Sequence, residues 1–385
     1  MCDAAVAGIA RRWSSGGCAA CGASQTLIRL LKQAYQDWSL GRRSPGLFCY
    51  GALAKPAAWV YQAANSLEQR RRARVLPPLA NASLIVVSSP TVGGAGKTPL
   101  TAHIVSKLRS QGIDTAIVTR GYGRRAHGTF SLDDEHDATA DQIGDEALML
   151  RQQTGAVVVV GKDPAQVIDE LDRSGRFGAI VLDDGVSTQW QNEFRIVCLA
   201  AADCEHPVRY LPDGRWRVSP HSIRHATAVI VTTDGDISHN VQKIHRERLG
   251  TWGYRGPIAW FRRVTDGIVA VDGATVGAKS VPPHGRPLVF CGIAVPQRFF
   301  EQVCAWGVIP AGTVSFPDHH RYTGRGIERL FHRAGNIGAD YLLTTHKDAV
   351  KIAGSRLRGL PLYVLATRLE FIAGDDFFEA WQLPS

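Results

Sequence analysis

The sequence predicts an α/β fold: a doubly wound, mostly parallel sheet, followed by a second, smaller α/β unit across a short β linker. Three observations carry that prediction. Continuous Val/Ile/Leu runs recur at 84–88, 115–119, 156–160, 179–183, 196–199 and 228–232. Continuous rather than alternating apolar runs belong to strands buried on both faces. Segments of helical character separate these runs, which is the alternation of a parallel sheet. One junction is Gly-rich: Leu84-Ile85-Val86-Val87 leads into Thr91-Val92-Gly93-Gly94-Ala95-Gly96-Lys97-Thr98-Pro99, and Leu100, Ile104, Val105 and Leu108 follow at helical spacing.

Strand, Gly-rich turn, Lys-Thr and helix make a phosphate-binding loop, so the first unit is of the P-loop nucleoside-triphosphatase type. Glycines let backbone N–H groups converge on a polyphosphate, and the helix N-terminus adds partial positive charge. The nucleotide-binding residues predicted here are Thr91, Val92, Gly93, Gly94, Ala95, Gly96, Lys97 and Thr98. Lys97 would reach the β- and γ-phosphates, and the Thr98 hydroxyl would sit on Mg²⁺. Thr91 stands where the general pattern, G-x-x-x-x-G-K-[ST], has its first glycine.

In chain order, residues 1–45 form an N-terminal extension whose Ala/Gly/Ser/Cys-rich start predicts partial disorder, with a helix over 26–38. Cys18-Ala19-Ala20-Cys21 has metal or redox spacing but no second pair, and a flexible tail accounts for it. Residues 46–80 are apolar and aromatic, with Trp59, Val60 and Tyr61, and end in Arg70-Arg71-Arg72-Ala73-Arg74. Such a segment suits either an anionic membrane surface or a core helix with a solvated basic end. As a spanning helix it is interrupted by Lys55-Pro56, and the first residues lack a signal-peptide layout. Residues 81–235 form the nucleotide-binding unit, 236–285 a linker with short strands, and 286–385 the smaller unit, with strands near 288–291, 341–344 and 362–365.

The chain's 385 residues are 45% hydrophobic and 21% charged, which predicts a globular protein with a substantial core. The net charge of +9 predicts an anionic partner. Most of the eight cysteines stand singly in apolar runs, as buried thiols of a reduced compartment do.

Several constellations could carry chemistry. Ala179-Ile180-Val181-Leu182 ends in Asp183 and Asp184, and carboxylates so placed orient Mg²⁺ in phosphate-loop enzymes. Arg120 opens Arg120-Gly121-Tyr122-Gly123-Arg124-Arg125 after the second strand, where a guanidinium can hold phosphate. Gly144-Asp145-Glu146 reads either as an acidic first helical turn or as a catalytic carboxylate. Phe316-Pro317-Asp318-His319-His320 offers a proton-transfer group or a metal ligand. Lys347 and Asp348, after a strand, either recognise a purine or ribose or begin the next helix.

Together and in this order, these residues resemble the tetraacyldisaccharide 4'-kinase (lipid A 4'-kinase) family. T-V-G-G-x-G-K-T-P matches 91–99, R-G-Y-G-R 120–124, G-D-E 144–146 and D-D-G 183–185. G-I-A-x-P-x-R-F matches 292–299, F-P-D-H-H 316–320 and T-T-x-K-D 344–348. The resemblance implies ATP-dependent phosphorylation of the 4'-hydroxyl of a tetraacyldisaccharide 1-phosphate in lipid A biosynthesis. It implies ATP, Mg²⁺, an acylated disaccharide glycolipid and an anionic membrane surface as partners, with no nucleic acid and no stated oligomeric form. The implied location is the cytoplasmic face of the inner membrane, held peripherally. Asp145 and His319 carry over as the catalytic dyad, with Lys97 and Arg120 supplying charge.

The chain departs from the family where Ser88-Ser89-Pro90 precedes the loop and where Ser187-Thr188 replaces a Gln-His. L-P-A-G-P-L-R-E survives only as Leu211-Pro212-Asp213-Gly214-Arg215-Trp216-Arg217-Val218, and His346 stands for a Glu. These departures leave open a different acceptor, or a weakly catalytic, nucleotide-gated regulator at the membrane.

Overall fold

The computed structural model describes residues 48–72, 75–126, 128–133, 138–185, 188–272, 275–279, 285–352 and 360–374. The predicted helix over 26–38, the Cys18/Cys21 pair and Ser187 lie outside these residues.

The described chain opens with helix α1, Phe48–Arg72. Lys55-Pro56 interrupts its apolar run, and the helix continues through Pro56. Proline removes one backbone hydrogen bond and crowds the preceding turn. Here Lys55, Pro56 and Ala57 are exposed, so the ring meets solvent rather than the core, while Ala54 and Ala58 on the inner face are buried. Among the described residues, no helix is long and apolar enough to cross a membrane. A two-stranded parallel pair, β1 (Val75–Leu76) with β7 (Gln189–Trp190), stands apart from the main sheet.

The main sheet starts from β2, Ser83–Ser88. Ile85, Val86 and Val87 are fully buried, because helices cover both faces of this central strand. β2 pairs in parallel with β6 (Ala179–Asp183) on one side and β8 (Phe194–Ala200) on the other. Beyond β6 lie β3 (Thr115–Thr119), β5 (Val157–Val160) and the antiparallel edge strand β4 (Phe130–Leu132). Beyond β8 lies β9, Ala228–Thr233. The chain leaves β2 for β3 in one direction and later enters β8 in the other. That reversal opens a crevice at the carboxyl ends of the strands. Helix α2, Lys97–Ser110, follows β2 and buries Leu100, Ile104, Val105 and Leu108, the four positions whose spacing predicted it.

The stretch 236–285 is more regular than its sequence suggested. It holds helix α3 (His239–Thr251) and a 15-residue strand, β10 (Ile258–Asp272), with β11 (Thr275–Lys279) paired to it. β10 lies parallel to β9 and antiparallel to β15, Leu362–Gly374. β15 runs well past the predicted 362–365. Next to β15 come β14 (Leu342–Thr344), β12 (Leu288–Cys291) and β13 (Gly312–Ser315), all parallel. Among the described residues, one hydrogen-bonded sheet of thirteen strands therefore runs through both α/β units. Register shifts at Trp260/Phe261 and Thr265/Gly267 let the long ribbon bend while its pairing continues.

Candidate active site

The phosphate loop leaves β2 and enters α2 at Gly96, whose φ of +83° lies in the left-handed region. A Cβ there would meet the Thr232 side chain at 2.9 Å, so this corner requires glycine. Thr232 Oγ1 in turn donates to the Ala95 carbonyl at 3.0 Å. Gly93 and Gly94 are exposed, and Lys97 and Thr98 half-buried, at the mouth of the crevice.

Thr91 and Val92, predicted to bind nucleotide, anchor the loop instead. Thr91 is fully buried, and its hydroxyl donates to Asp203 at 3.0 Å. The Val92 N–H donates to the Arg215 carbonyl at 2.9 Å. A threonine fills the first position because a buried hydroxyl with an acidic partner holds the loop's base.

The two carboxylates at the end of β6 have different surroundings. Asp183 is buried and accepts from Thr101 Oγ1 at 3.2 Å. Burial first, then Glu146 and Asp184, raises its pKa to about 7. Asp184 is also drawn upward by burial, but Lys97 and Arg217 outweigh that and bring it down to about 2. Its carboxylate takes a forked contact from Arg217 and lies 3.8 Å from Lys97 Nζ. Arg120, exposed at the end of β3, adds further positive charge toward Asp184.

The second α/β unit reaches the same crevice. Ala294, in the turn after β12, approaches Gly93, and Arg298, paired with Asp234 at 3.0 Å, approaches Gly94. Further along, His319 Nδ1 lies 3.0 Å from one Asp145 oxygen and 3.2 Å from the other. Asp145 begins helix α4, Asp145–Thr154, which packs beside α2. Burial works to raise the Asp145 pKa, but the His319 hydrogen bond and the charges of Lys347 and Lys351 bring it down to about 2. At His319, burial disfavours the charged ring, the hydrogen bond to Asp145 favours it, and the net direction is upward. The Tyr122 ring meets His319 edge-on, with centroids 5.0 Å apart. His320 turns away and stacks on Phe316, so His319 is the ring that meets Asp145.

The sequence profile described as tetraacyldisaccharide-1-P 4'-kinase matches residues 51–382. The chain belongs to the tetraacyldisaccharide 4'-kinase family. Its similar relatives include the tetraacyldisaccharide 4'-kinase of Parvibaculum lavamentivorans, 32% identical over 78% of this chain and 81% of that protein. Another is that of Dechloromonas aromatica, 32% identical over 85% of this chain and 90% of that protein. In fold it is similar to LpxK from Aquifex aeolicus, a structure in complex with ATP. The TM-score is 0.62 at 19% identity, covering 82% of this chain and 93% of that one.

Two of the residues predicted to bind nucleotide sit elsewhere in this tetraacyldisaccharide 4'-kinase family member. Asp348 is fully buried; it accepts from the Gly292 N–H at 2.8 Å and from Thr345 Oγ1 at 2.7 Å. It also pairs with Lys351 at 2.8 Å, so it ties the turn after β12 to helix α5, His346–Ile352. Lys347 points into the Asp145–His319 cluster. Three neighbours were missed in the sequence. Arg217 and Arg215 stand in the altered 211–218 stretch, and Glu146 stands within G-D-E. Arg215 donates to the carbonyls of Val92 and Gly93, and Glu146 lies 3.3 Å from Lys347 Nζ. The signal for Arg217 was its match to the single arginine of the family stretch; Arg215, replacing a proline there, had none.

Proposed function

We propose that this chain transfers the γ-phosphoryl group of ATP to the 4'-hydroxyl of a tetraacyldisaccharide 1-phosphate. The observation that carries this reading is the Asp145–His319 contact. Two segments far apart in sequence meet beside the helix that starts from the phosphate loop. Asp145, held as a carboxylate, takes the hydroxyl proton as the sugar oxygen bonds to the γ-phosphorus. The bond from that phosphorus to the β–γ bridging oxygen breaks, and ADP leaves. His319 orients Asp145. Lys97 and Arg120 neutralise the charge spread over the transferring group, the dominant requirement of a loose transition state.

The donor set fits Mg²⁺. Asp183 is a buried carboxylate with an elevated pKa, faced by Glu146 and Asp184, and a divalent cation would relieve that crowding. Asp183 and the Thr98 hydroxyl would hold the ion, with Asp184 adding charge although Arg217 and Lys97 already engage it. Mg²⁺ bound there would supply neutralisation of the phosphate oxygens.

Helix α1 would place the enzyme on an anionic membrane surface. Trp59, Val60 and Leu67 are exposed on one face (79%, 71% and 52%), while Ala54 and Ala58 on the other are buried. A face of that composition partitions into a headgroup layer. The glycolipid acceptor would then arrive at a surface-bound enzyme, at the cytoplasmic face of the inner membrane. Residues 81–235 and 286–385 would act as two units closing over ATP.

The test is radiolabel transfer from γ-labelled ATP to tetraacyldisaccharide 1-phosphate in mixed micelles. Transfer to the 4'-position is expected. No transfer, or faster transfer to another acceptor at equal ATP, would overturn the reading.

A further inference from the structure

Lys347 Nζ has three near neighbours: His319 Nε2 at 3.0 Å, Glu146 Oε1 at 3.3 Å and Asp318 Oδ1 at 3.4 Å. An ammonium has three donors and no acceptor. The count matches if each N–H serves one neighbour, and His319 Nε2 must then accept. On the other edge of the ring, Nδ1 faces the Asp145 carboxylate, which only accepts. Nδ1 must therefore carry the proton. Of the two neutral tautomers, the surroundings admit one, and an imidazolium would set Nε2–H against the ammonium.

We propose that Lys347 is a positioning residue for phosphoryl transfer: it holds His319 as the neutral Nδ1–H tautomer, so that His319 always donates to Asp145. The proposal rests on the Asp145–His319 reading above. It gives Lys347 a place other than a purine or ribose contact. Its side chain is only 17% exposed and its three N–H groups are matched to three protein acceptors.

The charges around the ring make this consequential. Burial is the largest influence against a charged His319, the Asp145 hydrogen bond and the charges of Asp145 and Asp318 favour it, and Lys347 adds to the opposition. Lys351 lies 3.6 Å from Asp145 Oδ2, the oxygen that stands 3.0 Å from His319 Nδ1, Arg321 pairs with Asp141 at 3.8 Å, and the Tyr122 ring meets His319 edge-on. Without Lys347 one opposing charge is gone and the balance moves further toward the charged ring. His319 then gains a second proton at Nε2, and the Asp145 carboxylate becomes half of an ion pair, a poorer acceptor for the hydroxyl proton.

The experiment is ring-¹⁵N histidine NMR on the full-length enzyme in detergent, with the His319 signal assigned by its loss in His319→Gln. At pH 8.5 the wild type is expected to show a protonated Nδ1 and an unprotonated Nε2. A protonated Nε2 at that pH overturns the proposal without any Lys347 variant. Lys347→Met should raise the His319 titration midpoint and lower kcat by roughly ten- to a hundredfold, a general-base-sized effect. KM for ATP should stay unchanged, and the acid limb of the kcat profile should move to higher pH. Lys347→Arg should restore the midpoint and part of kcat. A raised KM for ATP at unchanged kcat would make Lys347 a nucleotide contact and overturn the proposal. Asp145→Asn separates the two readings: a large kcat loss there with none in Lys347→Met sinks only the Lys347 role, whereas normal kcat in Asp145→Asn sinks the dyad itself.

Discussion

One wall of the crevice is made of backbone and the other of side chains. The phosphate loop presents glycine N–H groups, shaped by left-handed corners and braced from beneath by Thr91, Asp203 and Thr232. The opposite wall joins Asp145, Glu146, Asp318, His319 and Lys347, each held by the charge of another. A backbone wall suits phosphate, because it offers fixed donors that need no reorganisation. A side-chain wall suits proton transfer, because it sets protonation states. The first is robust to pH and intolerant of shape change; the second is the reverse.

The contrast is broken or sharpened by three measurements. The largest effect should come from Lys97→Ala, which removes the loop's one charged side chain. A kcat loss of about 10³-fold is expected, as for removal of an electrostatic contact to a developing charge. The His319 NMR signature should stay unchanged, and a shift in it would mean the two walls are electrostatically one. Next, Asp145→Asn keeps shape but removes the base, and single-turnover kinetics should show a loss of about 10²-fold with ATP affinity intact. Weakened ATP binding would place Asp145 with the phosphate wall instead.

The smallest effect is on stability in acid. The folded-state pKa of Asp145 is about 2, below the ordinary carboxylate value of about 3.9. Its contribution is therefore complete above that ordinary value and is lost as pH falls toward about 2. Denaturant titrations should show wild-type stability falling more steeply across that window than Asp145→Asn. Parallel slopes would deny Asp145 its charge partners.

Much of the parallel sheet between residues 81 and 235 was legible in the sequence. Its central strands are uninterrupted apolar runs, and helix α2 has its core positions at regular spacing, so local pattern and buried surface coincide. β10 was obscured because Arg262, Arg263, Thr265, Asp266 and Gly267 interrupt its apolar run. Arg262 pairs with Asp236 and Glu370, Arg263 with Asp234, and Gly267 sits at the bulge. The charged interruptions are paired with residues on other segments, Asp266 with Arg368, and no local window contains those partners. Pro56 is tolerated for a different reason: its side of α1 is exposed.

The strand–loop–helix junction at Thr91–Thr98 was legible for a related reason. Phosphate binding demands a local chain shape, and local shape is written in consecutive residues. By itself the sequence determined the strand–helix alternation, the loop and the family to which the chain belongs. Only the tertiary structure decided that Thr91 supports the loop from below, that Asp348 is buried, that His319 rather than His320 meets Asp145, and that Lys347 faces a histidine. Those outcomes depend on distances between segments brought together by the sheet, and on charges whose meaning is set by their neighbours in space.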